Sequence, residues 1–264
     1  MNENLNIAIG AAIEAGNVIM KVYGSEDFKV ENKDDDSPLT QADLRANAVI
    51  NSYLNNTSIP IISEENKQTD FDQRKNWTNC WIVDPLDGTK EFIKRNGEFT
   101  VNIAYIANNL PKLGVIYVPV QKTIYYADGS SAWKQILKTT DPLSFAHADS
   151  TRIAPEKLEG KIRVVGSRSH MNEDTKAYIS NLEQNSTDEI EVVSKGSSLK
   201  FCLVAEGNAD VYPRFAPTME WDTAAGQAIC SAAGLKVIDR LTGEEMRYNR
   251  ANLLNNHFSV STIG

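Results

Sequence analysis

The sequence predicts a mixed α and β fold built in layers, and three observations predict it. Apolar residues recur every three to four positions over the first 23 residues. β-Branched and aromatic runs broken by turn residues fill the stretch from Phe99 to Gly129. From Ile162 onward, short apolar runs alternate with helical patterns. The first pattern is that of an amphipathic helix, the second of hairpin-linked strands, and the third of strand–helix alternation.

The first helix carries Leu5, Ala8, Ile9, Ala12, Ile13, Gly16, Ile19, Met20 and Tyr23 on one face and stops at Gly24. A second starts near Thr40 or Ala42 and runs to about Asn55, with Leu44, Ala48, Val49 and Tyr53 expected inward. Ile59 to Ile62 reads as a short strand ending at Ser63-Glu64-Glu65, and residues 66–79 as a loop or short helix. Trp81 to Val83 is the next strand, followed by the hairpins of residues 99–129. Residues 130–160 read as further strand and loop. Then come a strand at Ile162–Ser167, a helix at Asn172–Glu183, a strand at Glu189–Ser194 and a helix at Ser197–Glu206. A strand at Ala209–Arg214, a helix from Asp222 to Ala233 closed by Gly234, and a final hairpin over Leu235–Tyr248 complete the chain. The expected division is into two halves, residues 1–135 and 136–264.

Composition narrows the class. The 264 residues are 41% hydrophobic and 23% charged, enough for a sizeable core. With 35 acidic against 27 basic residues the net charge is −8, which argues against a binder of nucleic-acid polymers or anionic membranes. A small anionic substrate stays possible, because bound cations invert the local field. Cys80, Cys202 and Cys230 form no CxxC pair and no zinc spacing, and read as buried free thiols in a reducing compartment. The N-terminus lacks a basic leader and carries Glu14 within its apolar part, and no stretch of about 18 apolar residues is found. The expectation is a cytoplasmic protein without a membrane span, monomeric or a homodimer, with peripheral membrane association left open.

The stretch "CWIVDPLDGTKEF" poses the central question, because its apolar run leads directly into two carboxylates three residues apart. A turn accounts for Asp84-Pro85-Leu86-Asp87-Gly88 through its proline and Asp-Gly pair. A magnesium site accounts for it equally, since that ion takes oxygen ligands in an octahedral set. Other acids hold similar positions. Glu64 and Glu65 end a short apolar strand, Asp222 opens an Ala-rich helix, and Thr40-x-x-Asp43 has the form of a capping box.

Thr40-x-x-Asp43, Ser63-Glu64-Glu65, Asp84-Pro85-Leu86-Asp87-Gly88-Thr89 and Trp221-Asp222 resemble, in order, the four signatures of the inositol monophosphatase-like superfamily. The resemblance covers about residues 35–235. It implies a five-layer αβαβα fold and a Mg²⁺-dependent, lithium-sensitive phosphomonoesterase with two or three ions. By position it implies Glu64, Asp84, the Leu86 carbonyl, Asp87 and Asp222 as metal ligands, with Thr89, Asp43 and Glu64 acting on the attacking water. Gly88 and Thr89 follow the acids and can offer backbone N–H groups to a phosphate.

Two stretches bear on which ester is cleaved. "VVGSRSH" reads as a strand end and helix cap, or as a nucleotide site in which Arg168 pairs with a second phosphate and His170 stacks on a base. In "KGSSLKFCLVAEGNAD", Gly196-Ser197-Ser198 opens a helix, a good anion or ribose site, and Lys200 in its first turn reads as an exposed lysine opposed by the helix dipole or as a partner of an anion bound there. Both stretches resemble those of the bisphosphate nucleotidases of the superfamily. That implies 3′-phosphoadenosine 5′-phosphate as substrate, with Ser167, Arg168, His170, Gly196 and Lys200 around the nucleoside and 5′-phosphate, and its removal during sulfate assimilation as the role. An inositol or sugar-phosphate phosphatase on the same scaffold, and a non-catalytic metal or nucleotide sensor, are the alternatives.

Overall fold

The computed structural model describes residues 2–25, 30–32, 38–167 and 172–263, with only the backbone described at 30–32, 38, 39 and 167. In chain order the elements are α1 (Glu3–Tyr23), β1 (Val30–Asn32), β2 (Pro38–Thr40), α2 (Gln41–Leu54), β3 (Ile61–Ser63), α3 (Phe71–Arg74), β4 (Asn79–Asp87) and α4 (Thr89–Ile93). They continue with β5 (Thr100–Ala107), β6 (Leu110–Val118), β7 (Thr123–Ala127), β8 (Ala132–Ile136), β9 (Thr151–Ile153), β10 (Lys161–Ser167) and α5 (Glu173–Asn185). The last are β11 (Glu189–Lys195), α6 (Leu199–Ala205), β12 (Val211–Arg214), α7 (Glu220–Ala232), β13 (Val237–Asp239) and β14 (Phe258–Ser261).

Two sheets organise the molecule, apart from the β1–β2 pair. The first has seven strands in the order β3-β4-β5-β6-β7-β8-β9, and the second five in the order β11-β10-β12-β14-β13. In the first, β3 and β4 are parallel and every later pair is antiparallel. α1 and α2 pack on one face of this sheet, through Ile9, Ile13, Ile50, Trp81 and Tyr117 among others. α6 and α7 fill the space between its other face and the second sheet, where Phe201, Ile229, Ile116, Tyr212 and Phe258 share one core. Ile179 of α5 meets Ile162, Val164 and Val211 on the far side of the second sheet. The result is the five-layer αβαβα sandwich, each helix layer burying the apolar face of a sheet.

Several elements depart from their sequence reading. α2 buries Ala42, Asp43, Ala46, Asn47, Ile50 and Leu54, whereas Leu44 is 42% exposed and Ala48 also faces solvent. The inward stripe keeps helical spacing but is partly polar, because Asp43 and Asn47 serve contacts inside. β4 does not stop at Val83. It runs on through Asp84, opposite Asn102, to Asp87, opposite Thr100, with a bulge between the two acids. The final hairpin over Leu235–Tyr248 forms as a short turn, in which Asp239 N–H donates to the Glu244 carbonyl and Met246 N–H to the Val237 carbonyl around the Ile238–Glu245 bridge, while the ladder of β13 is made with β14, a strand the sequence reading did not assign. α7 begins at Glu220, two residues before Asp222.

By length and composition α1 could cross a membrane, contrary to the sequence expectation. In this fold eleven of its residues are buried, as in a core helix. The first sheet ends at Ile153 and the second begins at Lys161, but α7 of the C-terminal part packs against strands of the first sheet as well as the second.

Candidate active site

The acids converge because four elements end at the same edge of the first sheet. The parallel pairing of β3 with β4 sets Ser63 opposite Val83, and the Glu64 N–H donates to the Val83 carbonyl, so Glu64 lies beside Asp84. The bulge in β4 presents Asp84 and Asp87 at one place. Asp222 arrives on the first turn of α7 from the next layer. Ligating oxygens of Asp84, Asp87 and Asp222 lie within 4.8 Å of one another.

Each of these three aspartates has one oxygen anchored by the protein. Asp84 Oδ1 accepts the Leu86 N–H (3.0 Å), Asp222 Oδ2 the Met219 N–H (2.7 Å), and Asp87 Oδ2 the Ser198 N–H (2.6 Å) and hydroxyl (2.7 Å). Among the described residues, the remaining oxygen of each carries no hydrogen bond. Such a set of oxygen-only donors on a rigid frame fits a hard divalent cation. Without a cation the cluster resists ionisation. Burial first, then the charges of Glu64, Asp87 and Asp222, hold the Asp84 carboxyl well above the usual range. Burial, followed by Asp87 and Glu64, pushes Asp222 up to about 8.

Asp43 and Asp222 share a device. Each is the third residue of its helix and back-bonds to the residue that caps it, which fixes the carboxylate at the helix start. Asp43 Oδ2 accepts from Thr40 N (2.8 Å) and from Thr40 Oγ1 (2.6 Å). Its Oδ1 accepts the Thr89 hydroxyl at 3.2 Å, a hydroxyl that also lies 3.3 Å from the Leu86 carbonyl. α2 therefore delivers Asp43 to Thr89, 46 residues later in the chain, directly beside the acid cluster.

A cavity of about 330 Å³ opens on this cluster. Its lining includes the acids Glu64, Asp87 and Asp222, the Thr89 hydroxyl, and the basic side chains Lys200 and Arg214. Lys200 is 5% exposed; its ammonium donates to the Ser197 and Lys195 carbonyls and lies over the Tyr212 ring at 5.6 Å. Burial lowers its pKa to about 8, against the pull of Asp87. Arg214 gives one bond to the Pro217 carbonyl (3.2 Å), while its buried Nε has no partner among the described residues.

The structure brings Asp43, Glu64, Asp84, Asp87, Gly88, Thr89, Gly196, Lys200 and Asp222 into this neighbourhood. Two backbone donors expected for an anion are engaged elsewhere: Gly196 N–H donates to Glu98 Oε2 (2.8 Å), and Ser198 N–H to Asp87. Ser167 ends β10 in register with Lys195, one residue before Gly196. Arg168 and His170 lie outside the described residues. The sequence reading did not single out Arg214, Tyr212, Asn102 or Thr100. Asn102 had a visible signal, a polar residue inside the apolar strand "TVNIAYIA". Arg214, ending "ADVYPR", had only its place at a strand terminus.

An αβαβα sandwich with this carboxylate cluster at the sheet edge defines the class: the chain belongs to the inositol monophosphatase family, whose model matches residues 1–260. Within it, the chain is 46% identical over 254 residues to the 3′(2′),5′-bisphosphate nucleotidase CysQ of Salmonella typhimurium, covering 95% of this chain and 96% of that one. It is 45% identical over the same length to the CysQ of Escherichia coli strain K12. The crystal structure of CysQ from Bacteroides thetaiotaomicron superposes with a TM-score of 0.87 at 48% identity, covering 98% of this chain and 96% of that one.

Proposed function

We propose that this protein is a Mg²⁺-dependent 3′(2′),5′-bisphosphate nucleotidase that cleaves the 3′-phosphate of 3′-phosphoadenosine 5′-phosphate, leaving AMP and phosphate. The observation that carries the reading is an acid cluster and two basic side chains lining one cavity. A single phosphoryl group needs only the acids and the ions they hold. A second phosphate on the same molecule gives Lys200 and Arg214 an anionic partner. The names of the CysQ relatives support the same substrate class.

Glu64, Asp84, the Leu86 carbonyl, Asp87 and Asp222 would hold two or three Mg²⁺ ions. Bound there, such ions acidify a coordinated water and stabilise the leaving alkoxide. The chain's own residues do the rest. Thr89 donates its hydroxyl proton to Asp43, so its oxygen is left to accept a proton from the attacking water. Thr40 aims Asp43 by donating its N–H and hydroxyl to Oδ2. Gly88 and Thr89 offer backbone N–H groups to the phosphoryl oxygens. In the same cavity, two of the three ammonium hydrogens of Lys200 go to carbonyls, leaving one for the 5′-phosphate, and Arg214 Nε, without a partner among the described residues, offers another donor. Consumption of the bisphosphate nucleotide left by sulfate assimilation is the role this activity suits.

The test is phosphate release from 3′-phosphoadenosine 5′-phosphate and from inositol 1-phosphate, each with Mg²⁺ and with a chelator. Release should require Mg²⁺, favour the nucleotide, and be inhibited by Li⁺ at concentrations where Na⁺ has no effect. Equal rates on both esters would reduce the reading to a general sugar-phosphate phosphatase, and no metal-dependent turnover at all would leave a sensor.

A further inference from the structure

Asp87 is held by a buried relay that starts on the neighbouring strand, β5. Thr100 donates its hydroxyl to Asn102 Oδ1 (2.9 Å), which fixes the orientation of the Asn102 amide. The amide nitrogen donates to Ser198 Oγ (2.8 Å) and lies 3.4 Å from Asp87 Oδ2. Ser198 Oγ in turn is 2.7 Å from Asp87 Oδ2 and 2.9 Å from the backbone carbonyl of Asp222. Thr100, Asn102 and Ser198 are all buried, at 0%, 1% and 2% exposure. The Ser198 hydroxyl has one proton and two acceptors, and the charged carboxylate is the stronger of them. Its oxygen is thus the one atom that touches β5, Asp87 on β4 and the first turn of α7 together.

We propose that Ser198, oriented by Asn102, is a positioning residue that sets the placement of Asp87 relative to Asp222, and with it the affinity for a divalent cation held between them. The proposal rests on the metal reading above. By engaging Asp87 Oδ2, Ser198 turns Oδ1 toward the cluster. By contacting the Asp222 carbonyl, it ties the start of α7 to the same point. Both contacts of the hydroxyl end on the acid cluster, at Asp87 Oδ2 and the Asp222 carbonyl, so the effect acts through the metal. Groups that orient metal ligands in this way are typically worth about 10–100-fold in metal affinity or activity.

The test titrates the full chain with Mg²⁺ by calorimetry, without substrate, in the parent and in Ser198→Ala, Ser198→Thr and Asn102→Ala. Ser198→Ala keeps the backbone N–H on Asp87 and loses only the hydroxyl. It should bind Mg²⁺ about 10–100-fold more weakly. Ser198→Thr should restore most of the affinity, and Asn102→Ala should fall between. In turnover, the Mg²⁺ half-saturation of Ser198→Ala should rise by the same factor while excess Mg²⁺ restores kcat. Should Ser198→Ala fail to fold, Asn102→Ala carries the test. Parent-like Mg²⁺ affinity in the alanine variants, or a kcat loss that no Mg²⁺ concentration repairs, overturns the proposal. A parent chain that binds no divalent cation overturns the metal reading itself.

Discussion

Lys200 shows how one residue's environment sets its use. A lysine in the first turn of a helix reads from sequence as a surface residue opposed by the dipole, or as an anion site. The fold buries it, caps two of its hydrogens with carbonyls, and lowers its pKa to about 8 from an ordinary ~10.4. An amine pairs with a phosphate only when protonated. In the free protein it is protonated below pH 8 and neutral above. Affinity for AMP should therefore be level between pH 7 and 8 and weaken above it, approaching tenfold per pH unit, because binding must then restore the proton. Calorimetric Kd values from pH 7 to 9.5 check this. Lys200→Met should bind more weakly throughout and lose the break; an unbroken profile in the parent would remove Lys200 from the phosphate site.

At the scale of elements, the crossing of α6 and α7 decides where Asp222 stands. A Cβ on Gly226 would come within 2.3 Å of the Phe201 ring. That ring is buried, stacked on Phe258 at 5.6 Å and edge-on to Tyr212 at 5.0 Å, so it cannot yield. Helix propensity alone favours Ala over Gly by about 1 kcal/mol. Overpacking of this kind costs about 1–3 kcal/mol. Gly226→Ala should lower the urea midpoint with m unchanged, and should also lower kcat, since any shift of α7 displaces Asp222. A raised midpoint would show that the two helices have room to spare. The same logic applies to α1, where a Cβ on Gly16 would meet the Tyr117 ring at 2.3 Å. The close packing of α7 on α6 and of α1 on the first sheet depends on such positions.

Over the whole molecule, the acid cluster opposes folding until a cation joins it. Asp84 and Asp222 are raised above their unfolded values, Asp222 to about 8. Below about pH 3, under the ordinary aspartate value of about 3.9, both states hold these protons and nothing is lost. As pH rises toward 8 the unfolded chain gives them up while the folded chain retains them, so the metal-free protein loses stability across that window. On the metal reading proposed above, Mg²⁺ bound there would replace the protons and offset the loss. A hundredfold excess over Kd contributes about 2.7 kcal/mol, roughly 5–10 °C in Tm for a chain of this size. Scanning calorimetry with Mg²⁺ and with a chelator should show a Tm difference that grows from pH 5 to pH 8. A difference independent of pH would mean that these carboxylates are not where the ion binds.

The sequence by itself determined the order of helices and strands, the layered class and the acids worth watching, because those depend on local periodicity and on short motifs such as Asp84-Pro85-Leu86-Asp87-Gly88-Thr89. It placed α1 within two residues of its observed start and named every member of the cluster formed by Asp84, Asp87 and Asp222. Only the tertiary structure decided which face of α2 turns inward, since a stripe containing Asp43 and Asn47 looks solvent-facing until a partner for each polar group is supplied from elsewhere. It alone paired β13 with β14 and brought Ser198 to Asn102 and Asp87, 96 and 111 positions away in the chain, contacts for which no local pattern exists. Periodicity reports which side of an element is apolar; what a buried polar group bonds to is set by whichever distant segment the layers bring beside it.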